Sequence, residues 1–122
     1  RVRSDQVALL VIVSQTDCGY CARLKKTVIQ PMLASGNYTD KVIIRELLLD
    51  DSTLIRDFSG ANTSSHDFAQ NYREWLTPTV LLLDANGKEL VPRIRGINSV
   101  DYYGYYLDQA ITKARTALIA QD

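Results

Sequence analysis

Two cysteines three residues apart, Cys18-Gly19-Tyr20-Cys21, are the groups in this 122-residue sequence whose types and spacing most directly suggest chemistry. Thiols at i and i+3 on the first turn of a helix share one face, so the pair can close a short disulfide or open to a dithiol. A loop that short removes little chain entropy from the unfolded state, so a purely structural cross-link is an inefficient use of it. At a helix start, unpaired amides and the helix dipole favour an anion, which predicts a raised thiolate fraction at Cys18. Cys18 is then the nucleophile. Cys21, one turn further in and less accessible, is placed to attack a mixed disulfide and release the product. Three other readings compete: a non-cycling disulfide, two inert core thiols, and half of a zinc site. The last is short of ligands, with no third cysteine and one imidazole, His66. His66 itself falls in a helix-start pattern, Ser64-Ser65-His66-Asp67, where a surface position is expected.

To position such a pair, the chain must bring Cys18 to the junction of a strand and a helix. Residues 7–14 are a continuous apolar run closing on polar residues, the pattern of a strand buried on both faces. Thr16 and Asp17 are capping types, and Leu24, Val28 and Met32 recur at four-residue spacing. This predicts a helix from about Cys18 that Pro31 kinks or divides and that exits at Ser35-Gly36-Asn37. A second buried strand is expected over 42–49, with Arg45 and Glu46 embedded in it, followed by a polar, irregular stretch to Thr63. A helix over 65–76 would align Phe68, Tyr72 and Trp75 in one apolar stripe. Pro78 precedes a strand over 79–83, which turns through Asp84-Ala85-Asn86-Gly87 into an extended run over 89–94, a hairpin signal. Asn98 or Ser99 can cap a last helix with Tyr103, Leu107, Ala110, Ile111, Ala114 and Leu118 on its apolar face. Of Tyr102, Tyr103, Tyr105 and Tyr106, two are expected to point inward and two outward. Arg23, Lys25 and Lys26 read as a solvated helix face.

The order β-α-β-α-β-β-α predicts a single α/β domain over 1–122. Its sheet is mixed, with strands separated by helices running parallel, the last two antiparallel, and helices on both faces. Loops at the carboxyl ends of parallel strands are where reactive groups are usually placed, and Cys18 lies there. Composition narrows the partners. Fourteen basic against 14 acidic residues leave a formal charge of zero, which removes the electrostatic basis for binding a nucleic-acid backbone or an anionic membrane. No apolar run approaches the roughly 20 residues of a spanning helix, so no membrane insertion is expected. The start at Arg1-Val2-Arg3, without methionine or a cleavable signal, is that expected of a processed product.

These residues together resemble the thioredoxin superfamily. The resemblance rests on the buried strand, Cys18-Gly19-Tyr20-Cys21 and a helix kinked at Pro31, then Thr77-Pro78-Thr79 before the apolar strand, the Asn-Gly hairpin and Arg95-Gly96. It spans about residues 5–118. It implies a thioredoxin fold, with residues 51–75 a longer stretch than a minimal thioredoxin carries. In that family the matching proline is cis and packs against the disulfide, and the backbone of the residue before it pairs with an extended substrate segment. The resemblance thus implies a cis Pro78 and a substrate-pairing Thr77. Gly19-Tyr20 and the threonine before proline look like bacterial periplasmic disulfide isomerases and reductive thioredoxin-like proteins, which implies an exported, periplasmic protein rather than a cytoplasmic one. Two positions depart from thioredoxin proper. Ile12 stands where it carries a buried aspartate, and Asp17, a capping type whose carboxylate opposes a thiolate, stands where it carries tryptophan. Glu46 is either a substitute proton relay or a strand position facing solvent.

The resulting expectation is a monomeric thiol:disulfide oxidoreductase, a reductase rather than an isomerase or oxidase, cycling Cys18 and Cys21 without a dissociable cofactor or a metal. Its partners would be cysteine-containing protein substrates and an upstream thiol reductant, with no nucleic acid. The alternative is a redox-sensing adaptor that binds a dedicated partner through the tyrosine-rich face and the 51–75 stretch.

Overall fold

The computed structural model describes residues 7–50, 54–56, 59–96 and 100–120. The expected cap at Asn98 or Ser99, the leading Arg1-Val2-Arg3 and the side chain of His66 lie outside the described residues. The apolar run near the start forms β1 (Ala8–Ser14), in which only Leu9 is less than fully buried. It lies at the centre of a four-stranded sheet in the order β2, β1, β5, β6, where β2 is Val42–Leu48, β5 is Thr79–Leu83 and β6 is Ile94–Arg95.

Period-two alternation divides the β1 and β5 side chains between two cores. Leu10, Ile12, Val80 and Leu82 pack with Leu24, Val28, Ile29 and Met32 and with Tyr103, Leu107, Ile111 and Ala114 of the last helix. Val11, Val13, Leu81 and Leu83 face the other way, onto Leu47, Leu49, Phe68 and Ala69. Each large aliphatic side chain removed from water on these faces stabilises the fold by about 1.5–3 kcal/mol.

The helix after β1 is interrupted as Pro31 requires. It runs as α1 (Gly19–Leu24), a wider π turn (Lys25–Ile29) and α2 (Gln30–Ser35). Proline has no amide hydrogen for the regular ladder, and just before it the Gln30 N–H reaches back to Lys25 O, one residue further than in an α-helix. Gly36, at φ +74°, ends α2 in the left-handed conformation that a glycine adopts without strain. Tyr38 then ties this corner to the last helix, α4 (Val100–Ala120): its hydroxyl donates to Asp108 at 2.6 Å, which pushes the phenol up to about 12.

β2 is parallel to β1, but β5 runs antiparallel to it, contrary to the expectation for strands separated by a helix. The reason lies between them. The stretch expected to be irregular contains a second sheet, in which β3 (Leu54–Arg56) pairs antiparallel with β4 (Asn62–Ser64). The following helix, α3, covers only Ser65–Asn71 rather than 65–76. At 1.5 Å per residue it advances about 10 Å, too short to carry the chain back along a seven-residue strand. The chain therefore enters β5 from the end where β1 and β2 finish. α3 closes where Arg73 takes a left-handed φ of +54°. Trp75 thus leaves the expected stripe and is 50% exposed.

The hairpin after β5 is made as expected at its turn, where Asp84 Oδ1 accepts the Asn86 and Lys88 amides at 2.8 and 2.9 Å. The run after it is not a continuous strand. Glu89 makes an isolated bridge to Leu83, Pro92 has no amide to give the ladder, and pairing resumes only at Ile94. On α4, Tyr103, Leu107, Ile111, Ala114 and Leu118 are buried, while Tyr102, Tyr105 and Tyr106 are all exposed, so one tyrosine of the four points inward rather than two.

Candidate active site

β1 and α1 deliver Cys18 to the carboxyl end of β1. The helix is capped by neither Thr16 nor Asp17: Cys18 itself is the N-cap, extended at φ −92° and ψ 107°, and its sulfur accepts the Cys21 amide at 3.1 Å. A capping residue must be non-helical with an acceptor aimed at the third amide beyond it, and at this junction the Cys18 sulfur occupies that place. Cys18 and Cys21 are joined as a disulfide with their Cα atoms 5.2 Å apart. Their environments differ. Cys18 is partly exposed, whereas Cys21 is 1% exposed on the inner face of α1. Tyr20, between them, is 65% exposed, and Gly19 has open space where a Cβ would stand.

The second half of the site comes from the segment before β5. The Thr77–Pro78 peptide is cis, and the Thr77 hydroxyl lies 3.6 Å from Cys18 Sγ as a donor to the sulfur. Five of the residues singled out from the sequence (Cys18, Tyr20, Cys21, Thr77 and Pro78) therefore meet at one end of the sheet, with exposed Trp75 and Leu76 beside them. Among the described residues the Thr77 backbone N–H and C=O have no partner, while its neighbours are held. Leu76 C=O accepts the Thr79 hydroxyl at 2.6 Å and Pro78 C=O accepts the Gly96 amide at 2.8 Å.

Glu46 stands in register with Ile12, on the face that packs against the helix. It is exposed, and its carboxylate pairs with Lys25 Nζ at 2.6 Å. Lys25 is therefore more than a member of the solvated face that Arg23 and Lys26 form. Among the described residues no group of three or more His, Cys, Asp or Glu side chains is arranged to hold a metal ion.

Two carboxylates that motif reading passed over hold the site. Asp50 accepts the Thr16 amide through both oxygens, at 3.2 and 3.3 Å, and bonding from Thr16 keeps its carboxyl below the usual range. Glu74 is 2% exposed. Its Oε1 accepts Arg95 Nε at 2.9 Å and lies 3.4 Å from Arg93 Nη1, and its Oε2 accepts the Leu76 amide at 3.2 Å. Burial alone pushes this carboxyl up, but the hydrogen bonds from Arg95, Leu76 and Arg93 outweigh it and hold it below the usual range. A signal for Glu74 does exist in the sequence. Arg93 and Arg95 alternate around Ile94, so an extended backbone puts two guanidinium groups on one face, where they call for a counter-charge.

Comparison with known proteins agrees with this architecture. A thioredoxin-fold protein from Helicobacter pylori is 21% identical, with 94% of this chain and 83% of that one covered at a TM-score of 0.60. The periplasmic thioredoxin SoxS from Paracoccus pantotrophus is 20% identical, over 88% of this chain and 98% of its own, at 0.58. Thioredoxin NaTrxh from Nicotiana alata is 28% identical, over 93% and 79%, also at 0.58. A comparison with curated proteins finds no match. The fold and the disulfide-forming Cys18–Cys21 pair support thiol–disulfide oxidoreductase chemistry in general. The model of the thioredoxin-like domain matches residues 1–111, which include both halves of the site, and the chain belongs to that family.

Proposed function

We propose that this protein is a monomeric thiol:disulfide reductase acting on disulfides in protein substrates. The observation that carries the reading is the asymmetry of the pair: a partly exposed Cys18 beside Thr77, and a buried Cys21 disulfide-bonded behind it. In the reduced protein the Cys18 thiolate attacks one sulfur of a substrate disulfide. The S–S bond breaks, the other substrate sulfur leaves as a thiolate and takes up a proton, and a mixed disulfide forms. Cys21 gives up its proton and attacks Cys18 Sγ, expelling the second substrate thiol and closing the Cys18–Cys21 disulfide. Two electrons pass from the pair to the substrate, and a thiol reductant restores the dithiol. No dissociable cofactor enters this cycle.

Thr77 offers its free backbone groups to an extended substrate segment, and Tyr20, Trp75 and Leu76 provide an apolar rim for its side chains. Glu46 is the candidate proton relay for Cys21, held by Lys25 one helical turn beyond that cysteine; an unchanged pH profile of thiol exchange in Glu46→Gln removes it. A periplasmic location is supported by the likeness to a periplasmic thioredoxin. Insulin reduction coupled to a thiol reductant tests the activity. Turnover that is lost in Cys18→Ser supports the reductase. Tight binding of one partner without turnover supports the adaptor, a reading favoured by the exposed Tyr102, Tyr105 and Tyr106.

A further inference from the structure

We infer that Glu74 is a positioning residue, whose buried carboxylate locks the segment Leu76-Thr77-Pro78 against β6 so that the Thr77 backbone is presented to a protein substrate; this rests on the reductase reading above. Three observations converge on it. Thr77 is the one residue of the segment whose backbone N–H and C=O are both unpartnered among the described residues, and such groups bind an incoming strand only if their direction is held. The residue before it is held on both sides, its amide by Glu74 and its carbonyl by the Thr79 hydroxyl. The residue after it is held by the Gly96 amide.

Glu74 is itself fixed from β6. Arg95 Nε donates to Oε1, and Arg93, which shares that oxygen, is clamped by both oxygens of Glu89 at 2.9 and 2.6 Å and by Tyr72 O at 2.7 Å. The left-handed Arg73 turns the chain immediately before Glu74, where α3 ends and the side chain enters the fold. Leu76 also contacts the Gly96 side of this arrangement, its Cδ2 lying 3.8 Å from where a Cβ of residue 96 would stand. The carboxylate touches neither sulfur, so its effect on turnover must pass through the loop.

The test compares a protein disulfide, insulin, with a small one, 5,5′-dithiobis(2-nitrobenzoate), which needs no backbone pairing. Glu74→Ala is expected to raise KM for insulin about tenfold, the weight of one hydrogen bond to a charged group. Its kcat, its rate with the small disulfide and the reduction potential of the cysteine pair should stay near wild type, while the Leu76 amide exchanges faster. Glu74→Gln, which keeps an oxygen facing that amide, should recover most of the insulin KM. Equal losses on both disulfides, or an unchanged insulin KM, overturn the inference. If Glu74→Ala does not fold, Arg95→Ala replaces it. That side chain is 60% exposed, and its loss should raise the insulin KM in the same direction but less, whereas no change overturns the inference. If the wild-type protein reduces neither disulfide, the reductase reading fails. The exchange rate of the Leu76 amide in the Glu74 variants then decides on its own, and an unchanged rate overturns the inference.

Discussion

Two short segments meet at the Cys18 sulfur, and they are held in opposite ways. The cysteine segment is built from its own neighbours: Cys18 N–H bonds Gln15 O, Ala22 N–H bonds Cys18 O, and the sulfur caps the helix it begins. Its distant polar tethers are slight: the Thr77 hydroxyl at the Cys18 sulfur, and Asp50 at the Thr16 amide, which lies in solvent. The proline segment has local bonds too, from Glu74 and Thr79 to Leu76, but the Glu74 carboxylate that makes one of them is fixed from 19 and 21 residues away by Arg93 and Arg95, and Pro78 is held by the distant Gly96 amide. The difference fits the roles proposed for the two segments. A reactive thiol needs exposure and a helix start, which a few consecutive residues provide. A surface that offers unpaired backbone to a partner cannot hold itself with those same groups, so the rest of the fold must hold it.

The comparison is tested most severely at the chemistry. Cys18→Ser should abolish disulfide turnover, a loss of at least about a thousandfold for a removed nucleophile. Cys21→Ser should instead accumulate a mixed disulfide visible by mass spectrometry, and residual turnover in Cys18→Ser would place the chemistry elsewhere.

Next in size is the stability of the proline segment. Glu74→Leu takes the carboxylate from Arg95 and the Leu76 amide, while Arg93 keeps Glu89. It should cost about 2–3 kcal/mol in urea unfolding, at the low end for a broken buried pair because Arg95 is partly solvated. An unchanged midpoint would mean the segment is held by packing alone.

Acid should separate the two segments as well. The Glu74 carboxyl in the folded protein lies below its ordinary value of 4.5. Its contribution is therefore complete above the unfolded pKa and is lost as pH falls through the lowered folded value. As pH falls below the ordinary value of 4.5 and through the lowered folded value, the Leu76 amide should lose protection in the wild type and show no such titration in Glu74→Gln, with the Cys21 amide little affected; hydrogen exchange by NMR reads both.

The smallest effects belong to the cysteine segment. Asp50→Asn should leave the unfolding midpoint unchanged within error, since the carboxylate is in water in both states. Ser14→Ala should be neutral or slightly stabilising, by less than about 1 kcal/mol, because the buried Ser14 hydroxyl has no partner to lose. A large destabilisation by either variant would erase the contrast.

The same division describes what could be read ahead of the structure. The β1 strand, the Cys18 junction, the break at Pro31, the Gly36 exit, β5 and the inward stripe of the last helix all depend on residues within a few positions of one another. Their patterns survive in the linear chain. The shortfall of α3, the exposed Trp75, the small β3–β4 sheet and the interrupted strand before Ile94 were not legible. At α3 and before Ile94 a single backbone event, the left-handed Arg73 or the missing amide of Pro92, overrode a plausible periodicity, and the β3–β4 pairing joins short segments that carry no strong period.

By itself, then, the sequence determined an α/β fold with a cysteine pair at a strand-to-helix junction, because hydrophobic period, capping and cysteine spacing are local quantities. Only the tertiary structure decided that β5 runs antiparallel to β1, that the Thr77 hydroxyl reaches the Cys18 sulfur, and that a buried Glu74 holds the neighbouring amide. Those outcomes depend on where distant segments come to rest, and a buried carboxylate is tolerated only where the fold brings its donors to it.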